Sequence, residues 1–517
     1  MSKILFLFLF LTIHVEAQKF DVVVYGGTAG GVIAAVSAAR EGLKTALIEP
    51  GHHLGGMVSG GLGYTDFGKK EVIGGYALEF YGRVAKHYQL PRYGVTVAWY
   101  HEPHVAEDIF RQMLNEAHVS VFENHALREK TGVRKDGARV VEIELDNGAK
   151  YSAAIFMDSS YEGDLMAQAG ISYTYGREGA AQYDESLAGV RGKTPFHQFL
   201  VDISPYDEQH RLLPEISAEK LLPAGSPDKK VQSYNYRMCF SEEPDNMLKF
   251  AKPEGYDPHR YELLARLIAA RTKAEGKVPS IKTFLKIDPI PNGKADVNNN
   301  GAFSTDYIGG SYDYPEGDYR TRARVAKAHR DYQAGLFYFL ANDARVPEVL
   351  RNELTHWGLA KDEFVDTDHW PNQLYIREAR RMVGEYVVVQ KDLQTELTKP
   401  DPIGMGSYNS DSHNLERIVD ADGFVRNEGD MQVAVKPYQI PYRVMLPKRS
   451  EASNLLVPVC FSASHVAYSS LRMEPQYMII GQAAGVAAKM AIAGHKAVQD
   501  VDTAALGARL TKQKAIF

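Results

Sequence analysis

Residues 21–50, with the sequence DVVVYGGTAGGVIAAVSAAREGLKTALIEP, constrain the fold more than any other segment of the chain. Asp21–Tyr25 is apolar and β-branched, which is typical of a strand buried on both faces of a sheet. A Gly-Gly turn follows, and then an alanine-rich helical pattern that ends at Gly42. Leu43–Ile48 returns as a second apolar strand. The segment therefore predicts a parallel βαβ unit of an α/β fold.

The turn and the end of the second strand have the features of a dinucleotide site. Glycines allow a close backbone approach, a helix N-terminus attracts a pyrophosphate, and an acid after the second strand accepts ribose hydroxyls. Gly26 and Gly31 occupy the first and last glycine places of GxGxxG, but Thr28 occupies the middle one. Glu49 lies about 20 positions further on, as the fingerprint requires. The alternative is an ordinary glycine-rich turn. Because all the parts agree, we expect dinucleotide binding, with the Thr28 hydroxyl near the pyrophosphate.

The N-terminal residues differ in composition from the rest of the chain. Lys3 precedes an apolar run at Ile4–Ile13, and Val15–Ala17 is typical of a small-residue cleavage signal. We expect a signal peptide at residues 1–17 and export to a periplasmic or extracellular space. The alternative is a short membrane anchor, but neither this run nor any later stretch reaches the ~20 apolar residues needed to span a bilayer. No transmembrane segment is expected after signal removal.

Composition and charge narrow the class of partner. With 44% hydrophobic and 24% charged residues, the chain has an ordinary globular composition. Its net charge of −6 gives no indication of a nucleic-acid partner, so we expect a small-molecule substrate. Cys239 and Cys460 are the only cysteines. Their sequence positions leave open whether they form one disulfide or stay two separate thiols.

A second glycine-rich stretch, Gly51–Gly63, indicates that the backbone passes close to a flat or charged ligand. An acid that ends the second strand and is followed by Gly55 and Gly56 resembles the flavoproteins of the glutathione-reductase-like superfamily. In those proteins this loop lies along the FAD pyrophosphate and ring. The resemblance therefore implies FAD contacts from this loop, including Met57.

The residues after this loop predict a helical insertion and then a return to the sheet. Residues 72–118 have helical patterns, and Asp-Gly and Asn-Gly turns separate later apolar segments. The predicted strands are Val119–Asn124, Ala126–Val133, Arg139–Leu145 and Lys150–Met157. We expect a β-meander of the type that crosses back over the first sheet in FAD proteins. The resemblance implies a second FAD contact at Asp158, just after the last of these strands.

The C-terminal segment is predicted to return to the cofactor. Asn454–Val459 has the pattern of a strand, Phe461–Arg472 that of a loop, and a helix begins near Pro475. Small residues along one face of this helix indicate tight packing under a ligand. In the resembled superfamily the N-terminal part of the last helix faces the flavin, where its dipole stabilises negative charge.

These separated blocks recur in the expected order and imply FAD as the cofactor. The whole chain is similar to a family of secreted FAD-dependent oxidoreductases, some of which are named xanthan lyase, although nothing in the flavin motifs requires a lyase. The implied cofactor-binding residues are Gly26, Gly27, Thr28, Ala29, Gly31, Glu49, Pro50, Gly55, Gly56, Met57, Asp158, Gly481 and Gln482.

The resemblance also implies the domain organisation. We expect a Rossmann-type FAD-binding domain with a β-meander, built from residues 18–170 and 447–517, and an inserted α+β substrate domain with a mixed sheet at residues 171–446. The middle region has helical patterns at His259–Glu275, Tyr319–Ala341 and Gln373–Val389. It has no second glycine fingerprint and no CxxC. We therefore expect neither an NAD(P)H domain nor a disulfide mechanism, and the electron acceptor stays open among oxygen, a quinone and a protein carrier.

Polar loops near the predicted domain junction supply the catalytic candidates. His465 is placed to take a hydroxyl proton as hydride leaves for the flavin, and Arg472 to hold a carboxylate or alkoxide. His413 is a second candidate acid–base group. For both histidines the alternative is a purely structural hydrogen bond. The candidate substrate-binding residues are Tyr408, Asn409, His369, Arg377 and Tyr468.

Several motifs carry competing interpretations. Arg377 and Arg381 lie four apart on a predicted helix and suit a substrate carboxylate, but a solvated helix face is preferred. His52 and His53 lie where some flavoproteins attach FAD covalently. Asp296–Gly301 begins like a calcium loop but lacks the final acid, so we expect a polar turn lining the substrate cleft and no metal site.

The sequence thus predicts an exported FAD-dependent dehydrogenase or oxidase. It takes a hydride from a polar small molecule, with a sugar or uronic-acid derivative as the leading candidate. Two alternatives stay open: a flavin-dependent lyase or isomerase without net oxidation, and a carbohydrate-binding component without catalysis.

Overall fold

The computed structural model describes residues 17–517, so the signal peptide predicted at residues 1–17 lies outside the described part apart from its last residue. Within that part, no helix is both long enough and apolar enough to cross a membrane. The α-helices are α1 Ala29–Arg40, α2 Gly75–His87, α3 Pro103–Glu116, α4 Asp164–Gln168, α5 Ala180–Tyr183, α6 Glu262–Glu275, α7 Tyr319–Asn342, α8 Glu348–Thr355, α9 Gln390–Gln394, α10 His465–Leu471, α11 Glu474–Ala493 and α12 Thr503–Lys512.

The strands fall into one large sheet, a second sheet of five strands and several short pairs. They are β1 Gln18–Tyr25, β2 Thr45–Glu49, β3 Ser120–Glu123, β4 Val133–Asp136, β5 Arg139–Glu144, β6 Lys150–Asp158, β7 Tyr173–Thr174, β8 Met238–Ser241, β9 Met247–Leu248, β10 Leu285–Ile290, β11 Lys294–Asn299, β12 Gly358–Ala360, β13 Arg381–Met382, β14 Pro402–Gly406, β15 Ser410–Ser412, β16 Glu416–Val419, β17 Val425–Glu428, β18 Met431–Val433, β19 Tyr438–Pro441 and β20 Leu455–Leu456.

The large sheet has the order β3-β2-β1-β6-β5-β4, with β20 paired to β6. The pairs β1–β2, β2–β3, β1–β6 and β6–β20 are parallel, as the βαβ prediction requires. Alternate residues of β1 enter different apolar cores, with Val24 on one face and Val23 on the other. Tyr25 pairs with both Ile48 and Asp158, so the carboxyl ends of β1, β2 and β6 lie at one edge of the sheet.

The predicted meander is only partly correct. Strands β4, β5 and β6 form antiparallel pairs, but they extend the main sheet instead of crossing over it. Ser120–Glu123 joins the parallel part of the sheet through β2. The strand predicted at Ala126–Val133 is wrong. There the Leu127 N–H donates to the Tyr25 hydroxyl at 3.0 Å, and a single bridge joins Leu127 to Leu145.

The middle region contains the five-stranded sheet β10-β11-β8-β12-β9, which is antiparallel throughout instead of mixed. Helices α6 and α7 confirm two of the three predicted helical segments. One continuous apolar core includes Val24 of the large sheet and Val297 of the second sheet. Because the two sheets share this core, the boundary of an inserted domain stays a prediction.

The third helix, predicted at Gln373–Val389, is wrong. Its central residues, including Arg377, Glu378 and Arg381, are buried in irregular backbone that ends in the short strand β13. A helix would place these three charged side chains on one face, within about 100° of one another. Here Arg377 instead pairs with Asp306, while Arg381 and Glu378 pair with each other, and burial of an unpaired charge is costly.

Both cysteines are buried and unpaired. Cys239 lies in β8, while the Cys460 thiol contacts the Ser160 and Tyr161 carbonyls at 3.3 and 3.2 Å. Burial raises the pKa of both thiols.

Candidate cofactor and active site

The glycine turn after β1 is closed by contacts that only glycine permits. Gly26 has a φ of 99°, and a Cβ there would lie 2.5 Å from the Ser160 nitrogen. A Cβ on Gly31 would lie 1.9 Å from the Gly26 carbonyl oxygen. Thr28 is the N-cap of α1: its hydroxyl accepts from the Gly31 N–H at 3.1 Å and donates to the Ser159 carbonyl at 2.8 Å. These protein partners fix the hydroxyl at the start of α1, and its contact with a pyrophosphate stays a prediction.

The same turn leaves polar groups for a ligand. The N–H groups in the first turn of α1, which begins at Ala29, have no acceptor inside the helix and carry the positive end of its dipole. Beside them the Ser159 hydroxyl oxygen is buried and has no hydrogen-bond partner. A cradle of glycines, free N–H groups and an unpartnered hydroxyl fits the pyrophosphate of a dinucleotide.

Glu49 lies at the end of β2, on the same sheet edge as the turn. Its carboxylate accepts from the Gly27 N–H at 2.7 Å and from the Gly51 N–H at 2.8 Å. Burial raises its pKa to about 7, although these two hydrogen bonds favour the ionised form. This position fits a ribose contact, whereas the following Pro50 is exposed.

The Gly55–Gly56 loop is attached directly to the turn. The Gly55 N–H donates to the Gly27 carbonyl at 2.7 Å, and both loop glycines have positive φ angles. A Cβ on Gly56 would lie 2.4 Å from the Tyr161 hydroxyl. That hydroxyl accepts from the Met57 N–H at 2.9 Å. The predicted loop thus adjoins the glycine turn.

Tyr161 also connects this loop to the start of α11. Its hydroxyl donates to Glu474 at 2.7 Å, and the other carboxylate oxygen of Glu474 is buried without a partner. Burial raises the pKa of Glu474 to about 8. The N-terminus of α11 therefore reaches the cofactor loop and presents a free polar atom there.

Asp158 binds the backbone and a side chain of the segment that follows β6. One carboxylate oxygen accepts from the Ser160 N–H and hydroxyl at 3.1 and 2.7 Å, and the other accepts from the Met166 N–H at 2.7 Å. Burial raises its pKa to about 6. Because both oxygens bind their own turn, the predicted direct FAD contact is corrected to support of the Ser159–Ser160 backbone.

Gly481 and Gln482 are likewise packing residues of α11. A Cβ on Gly481 would lie 2.2 Å from the Gly30 carbonyl oxygen of α1. The Gln482 amide accepts from the Tyr76 N–H and donates to Gln513, both at 2.8 Å. Gly481 therefore allows α1 and α11 to touch, and Gln482 binds neighbouring protein groups. Both residues have packing roles in place of the predicted contact with the cofactor.

His465 is enclosed by protein partners. The segment predicted as a loop contains α10, for which Ser464 is the N-cap. His465 Nδ1 lies 2.8 Å from Glu378 and Nε2 lies 3.2 Å from the Ser412 hydroxyl. Burial, reinforced by Arg381, lowers its pKa to about 3. With both ring nitrogens engaged, His465 is not placed to accept a substrate proton, and its predicted catalytic role is corrected to a structural one.

His413 has one ring nitrogen held and the other open. Nδ1 lies 2.7 Å from Asp306, whereas Nε2 lies 3.9 Å from Asp411, beyond hydrogen-bond distance. Burial and Arg377 lower the pKa of His413 to about 4. Burial alone would raise the pKa of Asp306, but Arg377 and His413 lower it to about 2. An ionised carboxylate therefore faces a neutral imidazole, the arrangement of an oriented general base.

The family model described as FAD dependent oxidoreductase matches residues 21–510 of this chain. The chain belongs to the FAD-dependent oxidoreductase family. Its cofactor is therefore FAD, which the turn, the Gly55–Gly56 loop and the unpartnered atoms near α11 are suited to hold. A comparison of this chain with curated protein sequences gave no match.

Solved structures resemble this oxidoreductase only distantly. A geranylgeranyl bacteriochlorophyll reductase-like protein from Thermoplasma acidophilum has 11% identity and a TM-score of 0.37, covering 96% of this chain and 83% of its own. OxyS anhydrotetracycline hydroxylase from Streptomyces rimosus has 15% identity and a TM-score of 0.22, covering 37% and 38%. THI4 from Thermovibrio ammonificans has 18% identity and a TM-score of 0.23, and the match covers 31% of this chain and 66% of THI4. The chain thus spans less than two thirds of the last two proteins, and TM-scores this low carry no argument.

Arg472 lies between the cofactor loops and His413. This residue is the C-cap of α10, two positions before α11 begins, and its guanidinium donates to the Tyr375 hydroxyl at 3.1 Å and to the Asp411 carbonyl at 2.7 Å. The Tyr408 hydroxyl lies nearby, donating to Asp66 at 3.3 Å. Arg472 and Tyr408 thus lie beside the His413 loop, whereas Asn409 is exposed, and their roles toward substrate stay predictions.

Arg377 joins the same group, but not through a shared helix face with Arg381. Arg377 lies 3.0 Å from Asp306 and donates to the Asn235 side chain at 3.0 Å. Arg381 pairs with Glu378 and Glu178 in the enclosed network around His465. Both arginines are buried, so the alternative of a solvated helix face is also wrong.

Two predicted substrate residues have other roles. The Tyr468 hydroxyl is buried against the Val459 carbonyl at 3.2 Å and the Tyr477 hydroxyl at 2.9 Å. His369 Nδ1 contacts the Glu363 carbonyl at 3.2 Å, in a loop outside the His413 group. Neither the position of Tyr468 before the flavin-facing helix nor the Trp370 beside His369 was therefore enough to bring these side chains to the His413 group.

The charged partners of His413 and of Asp296 were not among the residues predicted from sequence. Asp306 follows β11 and orients His413, while Arg237 pairs with Asp296 at 2.8 and 2.5 Å. Asp296 and its neighbours lie in β11, so the expected polar turn is a strand. The polar Asp296–Gly301 stretch was a usable signal, but Arg237 and His413, the partners of Asp296 and Asp306, are more than fifty positions away in sequence and could not be predicted.

Proposed function

We propose that this oxidoreductase oxidises an alcohol carbon of a small polar molecule and that His413 receives the hydroxyl proton. The observation that carries the proposal is the pairing of His413 with Asp306. Nδ1 of His413 is fixed by this contact, while Nε2 of His413 is free. When bound, FAD supplies the two-electron oxidation by accepting a hydride.

The protein groups account for the proton transfer. Asp306 accepts the Nδ1–H of His413, which leaves the Nε2 lone pair available to a substrate hydroxyl. The low pKa of His413 keeps the imidazole neutral near physiological pH. Arg377 neutralises Asp306 on its other side, so the carboxylate orients the ring without taking its proton.

The neighbouring arginines favour an anionic, oxygen-rich substrate. Arg237 Nη1, Arg377 Nε and Arg472 Nε are buried and lack hydrogen-bond partners. The guanidinium carbons of Arg377 and Arg472 lie 4.7 and 5.8 Å from the Tyr375 ring centre. Each of these guanidinium groups already has a carboxylate neighbour, but its open N–H donor suits a carboxylate or a sugar hydroxyl, which supports a uronic-acid derivative as the substrate class.

An anaerobic substrate panel tests the proposal. Hexuronic acids are compared with the corresponding neutral hexoses, and the oxidised flavin band is followed together with product formation. Bleaching by a uronic acid, with weaker binding of the matched hexose, is expected. Product without bleaching would favour the lyase or isomerase alternative, and binding without either change would favour the carbohydrate-binding alternative.

Export is a second part of the proposal and rests on the composition of residues 1–17. Mass spectrometry of the protein recovered from its native cell should give a mature N-terminus at Gln18. Recovery from the cytosol with residues 1–17 intact would contradict export. Oxygen, quinones and protein carriers stay as candidate acceptors, and reoxidation rates with each will distinguish them.

A further inference from the structure

Two neighbouring histidines and an aspartate converge on the surface between the cofactor loop and the middle region. His52 Nε2 lies 2.8 Å from Asp366 Oδ2, and His53 Nε2 lies 3.3 Å from the same oxygen. His52 and His53 follow Glu49 by a few positions, and Asp366 belongs to a short 3₁₀ turn at Val365–Thr367. Three potential ligand atoms from distant parts of the sequence therefore share one small space.

Their spacing fits a tetrahedral ion. At the usual zinc–ligand distance of about 2.1 Å, tetrahedral ligands lie roughly 3.4 Å apart. The His53–Asp366 separation of 3.3 Å matches this spacing, whereas the His52–Asp366 contact of 2.8 Å is a hydrogen bond that would lengthen when an ion binds. All the ligand atoms lie within 4.8 Å of one another. The side chains of His52 and Asp366 are 49% and 52% exposed, so an ion from solvent can reach them.

The ring of His53 is oriented as a metal ligand requires. Its Nδ1 lies 2.9 Å from Glu107, which leaves Nε2 as the coordinating atom. That Nε2 is buried and makes no hydrogen bond of acceptable geometry. Glu107 is itself fixed by Arg111 at 2.9 and 2.7 Å, and Arg111 also donates to the His52 carbonyl at 2.6 Å. A carboxylate behind a histidine ligand is a common feature of zinc sites.

A second cluster with suitable residue types differs in a decisive way. Glu102, His104 and Glu363 also lie close together, but the Lys294 ammonium lies 2.7 Å from both glutamates. A resident cation already neutralises that cluster. The His52–His53–Asp366 cluster has no such lysine or arginine among the contacts of its ligand atoms within residues 17–517.

We propose that His52 Nε2, His53 Nε2 and the Asp366 carboxylate bind one divalent transition-metal ion, with Zn²⁺ as the favoured ion. Two imidazoles and one carboxylate form a set typical of zinc, and solvent supplies the fourth position. The ion would link the loop between Glu49 and Gly55 to the middle region. The site is independent of the proposed oxidation, and the histidines that the sequence placed near a covalent flavin bond would instead coordinate metal.

Calorimetry with tag-free, chelator-washed holoprotein and ZnCl₂ tests the site. We expect one Zn²⁺ per chain, and a thermal unfolding midpoint that rises with Zn²⁺. His53→Ala and Asp366→Asn should weaken binding at least tenfold. Glu107→Gln should weaken it by about ten- to a hundredfold, although Glu107 does not touch the ion.

Matched surface variants control for nonspecific effects. His356→Ala and Asp368→Asn remove an exposed histidine and an exposed acid outside the cluster and should leave Zn²⁺ affinity unchanged. His52→Ala alters an exposed side chain and provides a ligand variant with little risk to folding. Co²⁺ should give a tetrahedral visible spectrum that His52→Ala abolishes. Absence of Zn²⁺ binding, or binding that survives both His52→Ala and Asp366→Asn, would overturn the proposal.

Discussion

Asp306→Asn tests the oriented base most sharply, because it removes a charge with almost no change in shape. The carboxylate lies 2.7 Å from His413 Nδ1 and 3.0 Å from Arg377. An asparagine can present its NH₂ group to Nδ1, so the ring then carries its proton on Nε2 and cannot accept one from substrate. General-base catalysis contributes about 10²–10⁴-fold, and we expect the flavin-bleaching rate to fall by that amount.

The same substitution should also change how the free energy of unfolding depends on pH. The pKa of Asp306 falls from 3.8 to about 2, mainly because Arg377 and His413 outweigh the effect of burial. This shift corresponds to about 2 kcal/mol of preference for the ionised form in the folded protein. Because the pKa of Asp306 is lower in the folded protein, this stabilisation is fully present above pH 3.8 and is lost as the pH falls through about 2. The difference in unfolding free energy between wild type and variant should shrink across that window.

The assay is anaerobic stopped-flow bleaching, normalised to bound flavin, with a substrate from the uronic-acid panel. Asp164→Asn is the matched control, because Asp164 is also a carboxylate of lowered pKa and is paired with Arg322 and Arg380 at 2.6 and 2.7 Å. It should lose comparable stability but keep its rate. A wild-type rate in Asp306→Asn, or an equal loss in Asp164→Asn, would refute the reasoning.

Three further predictions concern the turn and the base. Gly26→Ala should abolish FAD retention, because the added Cβ meets the Ser160 nitrogen at 2.5 Å; Gly42→Ala, with a similar positive φ but open space, should retain flavin. Thr28→Val should cost about 1 kcal/mol of unfolding free energy in chemical denaturation by removing the N-cap, and Thr28→Ser should not. The kcat/KM of wild type should rise as the pH increases through about 4, because His413 loses its proton there, and should then level off. A rise in kcat/KM centred near pH 6.5 would contradict a buried base.

The cofactor half of the molecule was largely predictable from sequence because its signals are local. The strand–turn–helix at residues 21–40 and the start of α11 follow from side-chain periodicity and from glycine and proline positions. Roles within these motifs were less predictable. Gly481 and Asp158 stand where a cofactor contact was expected, yet one provides room for the α1–α11 contact and the other supports a turn.

The proposed site around His413 was only half predictable because its contacts are long-range. His413 was recognised as a candidate, but its partner Asp306 is 107 positions away, and sequence spacing does not show that pairing. His465 had the more suggestive sequence position, yet the folded chain encloses both its ring nitrogens. Arg377 and Arg381 were assigned to a helix by spacing alone, whereas separate buried ion pairs determine their backbone.

The central claim is that His413, and not His465, receives the substrate proton. The most direct test compares single-turnover flavin bleaching in His413→Gln and His465→Gln, each normalised to its bound FAD and measured near pH 7. We predict that His413→Gln slows bleaching by about 10²-fold or more while retaining FAD, and that His465→Gln keeps its rate per flavin-loaded chain. A wild-type rate in His413→Gln, or a loss confined to His465→Gln, would contradict the account.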